Sequence, residues 1–249
     1  MQKLREVNVP FIDKDALTYL GGLSTVTHIS SELPAGSDLE DILGPSCNSI
    51  LFENFDTVDW EISDWRDVEV FTRLWPHKLT ALQLRSEQEF EPDLMQILFD
   101  SLHTREAFRS VDIDTKSYLN IDEDDLMEMA EAWPCLEVLF LNEMVGHMAS
   151  KAPVPRYVTL PGVVRFVERC LLLKKICISI SLADVDKEYD MELDKLLDLE
   201  PRDSHAALDH VKLRCTREDE ILELNAPDEC EKAGGLSLFE ILLAKLFLG

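Results

Sequence analysis

Apolar residues recur along this chain in a short cassette, apolar–x–x–apolar–x–apolar, usually just after a stretch with amphipathic helical spacing. It reads Cys47-x-x-Ile50-x-Phe52, Leu79-x-x-Leu82-x-Leu84, Phe108-x-x-Val111-x-Ile113, Leu136-x-x-Leu139-x-Leu141, Leu173-x-x-Ile176-x-Ile178 and Leu208-x-x-Val211-x-Leu213. Successive cassettes lie about 30 residues apart, and a unit repeating at such a period buries its apolar face only by stacking on its neighbours. Within a cassette the alternation of apolar and other residues is that of a strand with one buried face.

At this apolar content the bare triplet arises by chance in roughly 4% of windows, so the flanking signals carry the reading. Trp75-Pro76 and Trp133-Pro134 stand just before Leu79 and Leu136, each after a helix-like segment, Val68 to Trp75 and Asp124 to Trp133. Pro92 and Pro161 open two further segments with helical spacing, at a first-turn position where the missing N–H costs nothing. Strand and helix alternate, which predicts an α/β solenoid with a parallel sheet and helices along one side. Residues 1–45 are less regular: Leu17, Leu20, Leu23, Val26 and Ile29 form a degenerate repeat or an N-terminal cap, and Ser31 to Asp38 reads as a loop. The repeat region is placed at 46–215, with insertions at Val145 to Tyr157 and around a helix at Met191 to Leu199. Residues 216–249 are read as a C-terminal cap ending in an amphipathic helix over Leu236 to Leu248.

Composition narrows the function. The chain of 249 residues has 24 basic and 49 acidic side chains, a formal net charge of −25. Affinity for nucleic acid comes from clustered Lys and Arg, so nucleic acid is not an expected partner, nor is an anionic membrane. The first residues lack the apolar run of a signal peptide, and no stretch is long and apolar enough to span a bilayer. Six cysteines without CxxC spacing read as reduced, which places the protein inside the cell, in cytoplasm or nucleus.

Chemistry-bearing motifs are sparse. With nine glycines, the chain has no GxGxxG, P-loop or GxSxG sequence. Asp112, Asp114 and Glu123 have the outer spacing of a calcium-binding EF loop, but Lys116 and Ser117 stand where an acid or Asn and the obligatory Gly are needed. His205, His210 and Cys215 lack helical or zinc-ligand spacing. No catalytic residue, metal ligand or cofactor is expected.

The x positions of the cassettes are the better candidates, because they face away from the core. Among them Gln83, Arg85, Asp112, Asp114, Val138, Phe140, Asn142, Lys175, Lys212 and Arg214 are expected to meet a protein or peptide partner. Val138 and Phe140 would form an apolar anchor, and Lys175, Lys212 and Arg214 a locally basic end suited to an acidic flank.

The run from Asp124 through Trp133-Pro134 to Leu141 resembles the repeats of fungal F-box/leucine-rich-repeat proteins. So does Leu160-Pro161-Gly162 leading through Arg169-Cys170 to Ile176, and the closing stretch Phe239 to Phe247 is similar to their last helix. The resemblance covers residues 46–249. It implies an irregular leucine-rich-repeat solenoid, a curved parallel sheet with helices on its convex side, acting as the target-recognition region of a ubiquitin ligase subunit. In that family a separate F-box docks onto the adaptor of a cullin-based ligase. Nothing in residues 1–45 reads as the Leu-Pro opening of an F-box, so adaptor docking is expected only if an F-box lies outside this chain. The ninth cassette position is Phe55, Glu87, Lys116, Met144, Ser181 and Thr216, never the Asn of a regular ladder. Two alternatives remain open: an acidic leucine-rich-repeat binder or inhibitor unrelated to ubiquitin ligation, and an α/β enzyme with accidentally even strand spacing.

Overall fold

The structure is a computed structural model and describes residues 4–32, 53–63, 78–86, 106–115, 119, 121–142, 158–180, 208–215 and 221–225. Its strands are β1 (Glu6–Phe11), β2 (His28–Glu32), β3 (Thr57–Glu61), β4 (Ala81–Ser86), β5 (Ser110–Thr115), β6 (Val138–Leu141), β7 (Lys175–Ile180), β8 (His210–Cys215) and β9 (Ile221–Asn225). Helix α1 (Lys14–Gly21) joins β1 to β2, α2 (Glu123–Ala132) lies between β5 and β6, and α3 (Leu160–Arg169) lies between β6 and β7. All nine strands form one sheet in chain order, β1-β2-β3-β4-β5-β6-β7-β8-β9. The first eight are parallel, and β9 turns back antiparallel on β8.

The cassettes at Leu79, Phe108, Leu136, Leu173 and Leu208 each deliver a strand, and their apolar positions align across the sheet. Leu82, Val111, Leu139, Ile176 and Val211 form one such row, every member buried. Where the pattern begins is different. The expected cassette at Cys47 lies outside the described residues, and the strand that fills this place is β3, led by Phe55-x-x-Val58-x-Trp60, with all three side chains buried. Phe55, which the sequence frame had put at a ladder position, is a core residue. The triplet fits both frames, and only register against Ala81–Arg85 and His28–Glu32 selects the second.

Residues 6–32 add strand, helix and strand to the same sheet. The sequence hides β2 because its third core position is Ser31, buried with its hydroxyl donating to the Glu32 carbonyl. Ser31 and Glu32 therefore belong to β2 rather than to a loop. β1 is irregular: its register against β2 shifts between Asn8 and Phe11, where Pro10 cannot donate to a ladder.

Each described helix starts on a side-chain cap. Asp13 accepts from the Ala16 N–H at 2.8 Å. Asp122 and Asp125 exchange reciprocal bonds, a capping box in which the acids also meet the positive end of α2. The cluster Asp122 to Asp125 is thus a helix start. Thr159 caps α3, with Pro161 in the first turn, accepting from Gly162 N–H at 3.2 Å. Glu123 ties α2 to α3 by accepting from the Thr159 hydroxyl and from Arg165. That approach requires Gly162, whose Cβ would stand 2.8 Å from the Glu123 Cγ.

Leu17 and Leu20 of α1, Leu126 and Met129 of α2, and Val163, Phe166 and Val167 of α3 enter one continuous core with the inward residues of the strands. The described helices therefore share one side of the sheet. Trp133 ends α2 by donating its N–H to the Met129 carbonyl at 2.9 Å, and its indole meets Phe108 edge-on with ring centroids 5.7 Å apart. The expected helices at Val68 to Trp75, after Pro92, at Met191 to Leu199 and at Leu236 to Leu248 lie outside the described residues, as does the Val145 to Tyr157 insertion. No described helix is long and apolar enough to cross a membrane.

Removing the Trp133 ring would leave a cavity under β5 and β6. Trp133→Ala is expected to lower the unfolding free energy by about 3–5 kcal/mol, and Trp133→Phe by less, in urea titrations followed by far-UV circular dichroism.

Candidate functional site

The sheet has a second face, turned away from the helices. Strand alternation puts the cassette x positions there, and they lie in rows fixed by the parallel register. One row runs Ser30, Asp59, Gln83, Asp112, Phe140, Cys177, Lys212 across β2 to β8. On the low-numbered strands it holds two polar pairs. The Ser30 hydroxyl donates to Asp59 at 2.9 Å, and the Gln83 amide donates to Asp112 at 2.8 Å.

At β6 the row changes character. Val138 and Phe140 are half-buried, two residues apart on the same face. The Phe140 ring reaches across β7 to meet His210 of β8 edge-on, centroids 6.3 Å apart and planes at 73°. Cys177, the register neighbour of Phe140 on the intervening strand, is fully buried although it stands at an x position. The two rings form an aromatic platform beside Lys175, which is exposed, and Lys212, which is half-buried. Arg214 occupies the next position of this face along β8, and its side chain lies outside the described residues.

The ten sequence candidates thus divide. Gln83, Arg85, Asp112, Val138, Phe140, Lys175 and Lys212 stand exposed or half-buried on this face. Asp114 and Asn142 are corrections: both are buried and so are not available to a partner. Asn142 follows β6 in the left-handed region, at φ 57°, where Asn is among the tolerated residues. Its side-chain oxygen accepts from the Thr115 N–H at 2.9 Å and from the Thr115 hydroxyl at 3.3 Å. It closes the end of β5. His210, which the sequence treats as a plain solvent-facing histidine, is part of the platform. Its spacing from Phe140 carries no signal, because the insertion between them sets their separation in sequence while the register sets it in space.

A second charged feature borders this face at the strand starts. Arg109, Glu137 and Lys174 precede β5, β6 and β7 and stack as a ladder, with Arg109 donating to Glu137 at 3.1 Å and Lys174 donating to the same carboxylate. The hydrogen bond from Lys174 has the largest effect on the Glu137 carboxyl. With the charges of Lys174 and Arg109 it outweighs the opposing effect of burial and holds the carboxyl below its ordinary value of 4.5. Among the described residues no three His, Cys, Asp or Glu side chains converge as metal ligands. Burial pushes the Cys170 thiol up to about 12, which keeps it protonated and a poor nucleophile at neutral pH.

Asn142→Ala removes the acceptor for Thr115 and is expected to lower stability by about 1–3 kcal/mol. Asn142→Gly, which accepts the positive φ, should recover only the backbone part of that loss in the same urea titration. For Glu137, a carboxyl titrating lower in the folded than in the unfolded chain stabilises the fold above its unfolded value and loses this effect as pH falls through its folded one. Glu137→Gln should therefore lower the melting temperature at neutral pH, and its difference from wild type should shrink as pH falls through the folded value of the carboxyl. The neutral-pH effect should shrink in about 1 M salt, as for any exposed ion pair. Comparisons with protein-family models, with curated proteins and with solved structures find no match to this chain.

Proposed function

We propose that this chain is a non-enzymatic protein-recognition module: an irregular leucine-rich-repeat solenoid that serves as the target-recognition region of an F-box-type ubiquitin ligase subunit. The observation that carries this reading is the sheet order. Eight parallel strands follow one another in chain order with no reversal of direction across the sheet, as stacked repeats do and as doubly wound enzyme folds do not. Such a sheet leaves one face to the helices and offers the other along its whole length.

That second face is suited to recognising a protein. Phe140, Val138 and His210 give an apolar centre with an aromatic anchor, and polar strands flank it, the arrangement in which one or two residues supply most of the binding energy. Residues 6–32 are strand, helix and strand of the sheet, so a three-helix F-box, and with it adaptor docking, would come from sequence outside this chain. The protein is placed in cytoplasm or nucleus on the same reading, among the reduced thiols Cys135, Cys170 and Cys177.

The test is affinity capture with the intact gene product, wild type against Phe140→Asp and Lys212→Glu, after matching their thermal melts. Wild type should retain a defined target that Phe140→Asp loses by at least about tenfold, equivalent to 1.4 kcal/mol. Equal capture by all three proteins would sink the reading. In a pull-down with recombinant adaptor, the intact product should bind, whereas the present chain alone should not.

A further inference from the structure

The open face is electrically polar along the direction that crosses the strands. On β2 and β3 its charged x positions are Glu32, Asp59 and Glu61; on β7 and β8 they are Lys175, Lys212 and Arg214. Like charges are placed side by side at the acidic end, where Glu32 and Glu61 are direct register neighbours, and exposed Arg85 of β4 bounds the pair as the next neighbour of Glu61. Adjacent strands lie about 4.8 Å apart, a separation at which two carboxylates repel. Both are exposed, and neither makes an ion pair with a described residue. At the other end exposed Lys175 likewise makes no such pair, although its neighbour Lys174 is tied to Glu137. The aromatic platform of Phe140 and His210 lies between the acidic pair and the basic end, much nearer the latter.

These three features do not share a row. Glu32 and Glu61 lie toward the C-terminal ends of their strands, Phe140 lies one x position nearer the strand starts, and Lys175 one nearer still. They mark a diagonal across the face. From strand spacing and rise, the acidic pair is about 18 Å from Phe140, and Phe140 about 8 Å from Lys175. An extended chain advances about 3.3–3.6 Å per residue, so these intervals correspond to about five and about two residues.

From this geometry we infer that the face binds an extended peptide segment laid diagonally across the strands: a basic residue over Glu32 and Glu61, an apolar residue about five positions along on Phe140, and an acidic residue about two positions further at Lys175. The inference rests on the reading of this face as a protein-recognition surface and adds the chemistry and order of what is recognised. Complementary charge at both ends gives the ligand a single register, since reversing it would set like charges together at each end. The net charge of −25 makes the basic end of the ligand the part drawn in first, and the local reversal of sign at β7 and β8 is what holds its acidic end.

Panning a phage-displayed random peptide library tests this directly. Three baits are used: wild type, the double variant Glu32→Lys with Glu61→Lys, and Phe140→Asp. Thermal melts verify that the variants fold; both lysine substitutions are at exposed positions and reverse the sign of the pair. Wild type should enrich peptides with the order basic, apolar, acidic at the stated spacing. The double variant should enrich peptides in which an acidic residue replaces the basic one while the apolar position persists. A synthetic peptide of the wild-type pattern should bind the double variant at least about tenfold more weakly, by calorimetry at low salt. Enrichment that depends on Phe140 but shows no change of charge between wild type and the double variant overturns the inference and leaves the recognition reading standing. Absence of enrichment on wild type, or enrichment unaffected by Phe140→Asp, overturns both.

Discussion

One backbone contact, repeated at every parallel strand start, sets the rest of the structure. The two N–H groups that open a strand both donate to a single carbonyl just before the preceding strand. Thr27 and His28 donate to Arg5, Asp56 and Thr57 to Thr27, Thr80 and Ala81 to Asp56, and so on to Asp209 and His210 on Lys174, at 2.7–3.1 Å. Shifting any strand by one residue would break this clamp and turn its whole apolar set toward the open face. The clamp uses backbone only, so it places no demand on the side chains, and Arg, Thr, Asp and Glu all occupy the position. Those side chains nevertheless line up at the strand starts, which is how Arg109, Glu137 and Lys174 come to form their ladder.

Fixed register also creates the open face. Because each x position lies beside the x position of the next strand, a single side chain can influence three strands. Phe140 does so: it stands on β6 beside β7, and its ring meets His210 of β8. The same alignment sets Ser30 against Asp59 and Gln83 against Asp112, and places Glu32 beside Glu61 at one end and Lys175, Lys212 and Arg214 at the other. Helix caps and the Glu123 tie between α2 and α3 act on the opposite side, where they hold the layer that covers the core. The two faces therefore serve different ends, burial on one and presentation on the other.

Much of the architecture was legible because the core cassettes from Leu79 onward are regular. Pro161 marks a helix start and Trp133-Pro134 a helix end, whereas the caps Asp122 and Thr159 emerged only with the structure. The pattern failed where a core position is not apolar, as at Ser31, and where two frames of the triplet compete, as with Cys47 and Phe55. On the open face, alternation alone assigned Val138, Phe140 and Lys175 correctly to the surface. It failed for Asp114 and Asn142, which alternation places on that face but which packing at the ends of β5 and β6 covers.

The amino-acid sequence by itself determined the strands of the regular cassettes from Leu79 onward and which of their residues enter the core, because hydrophobic periodicity is a local property that needs no partner. It determined the charge balance as well. Only the tertiary structure decided which frame the early strands take, that β1 and β2 extend the same sheet, and that Phe140 and His210 meet. Those outcomes depend on hydrogen bonds between segments far apart in the chain, and their spacing in sequence is set by connections of unequal length.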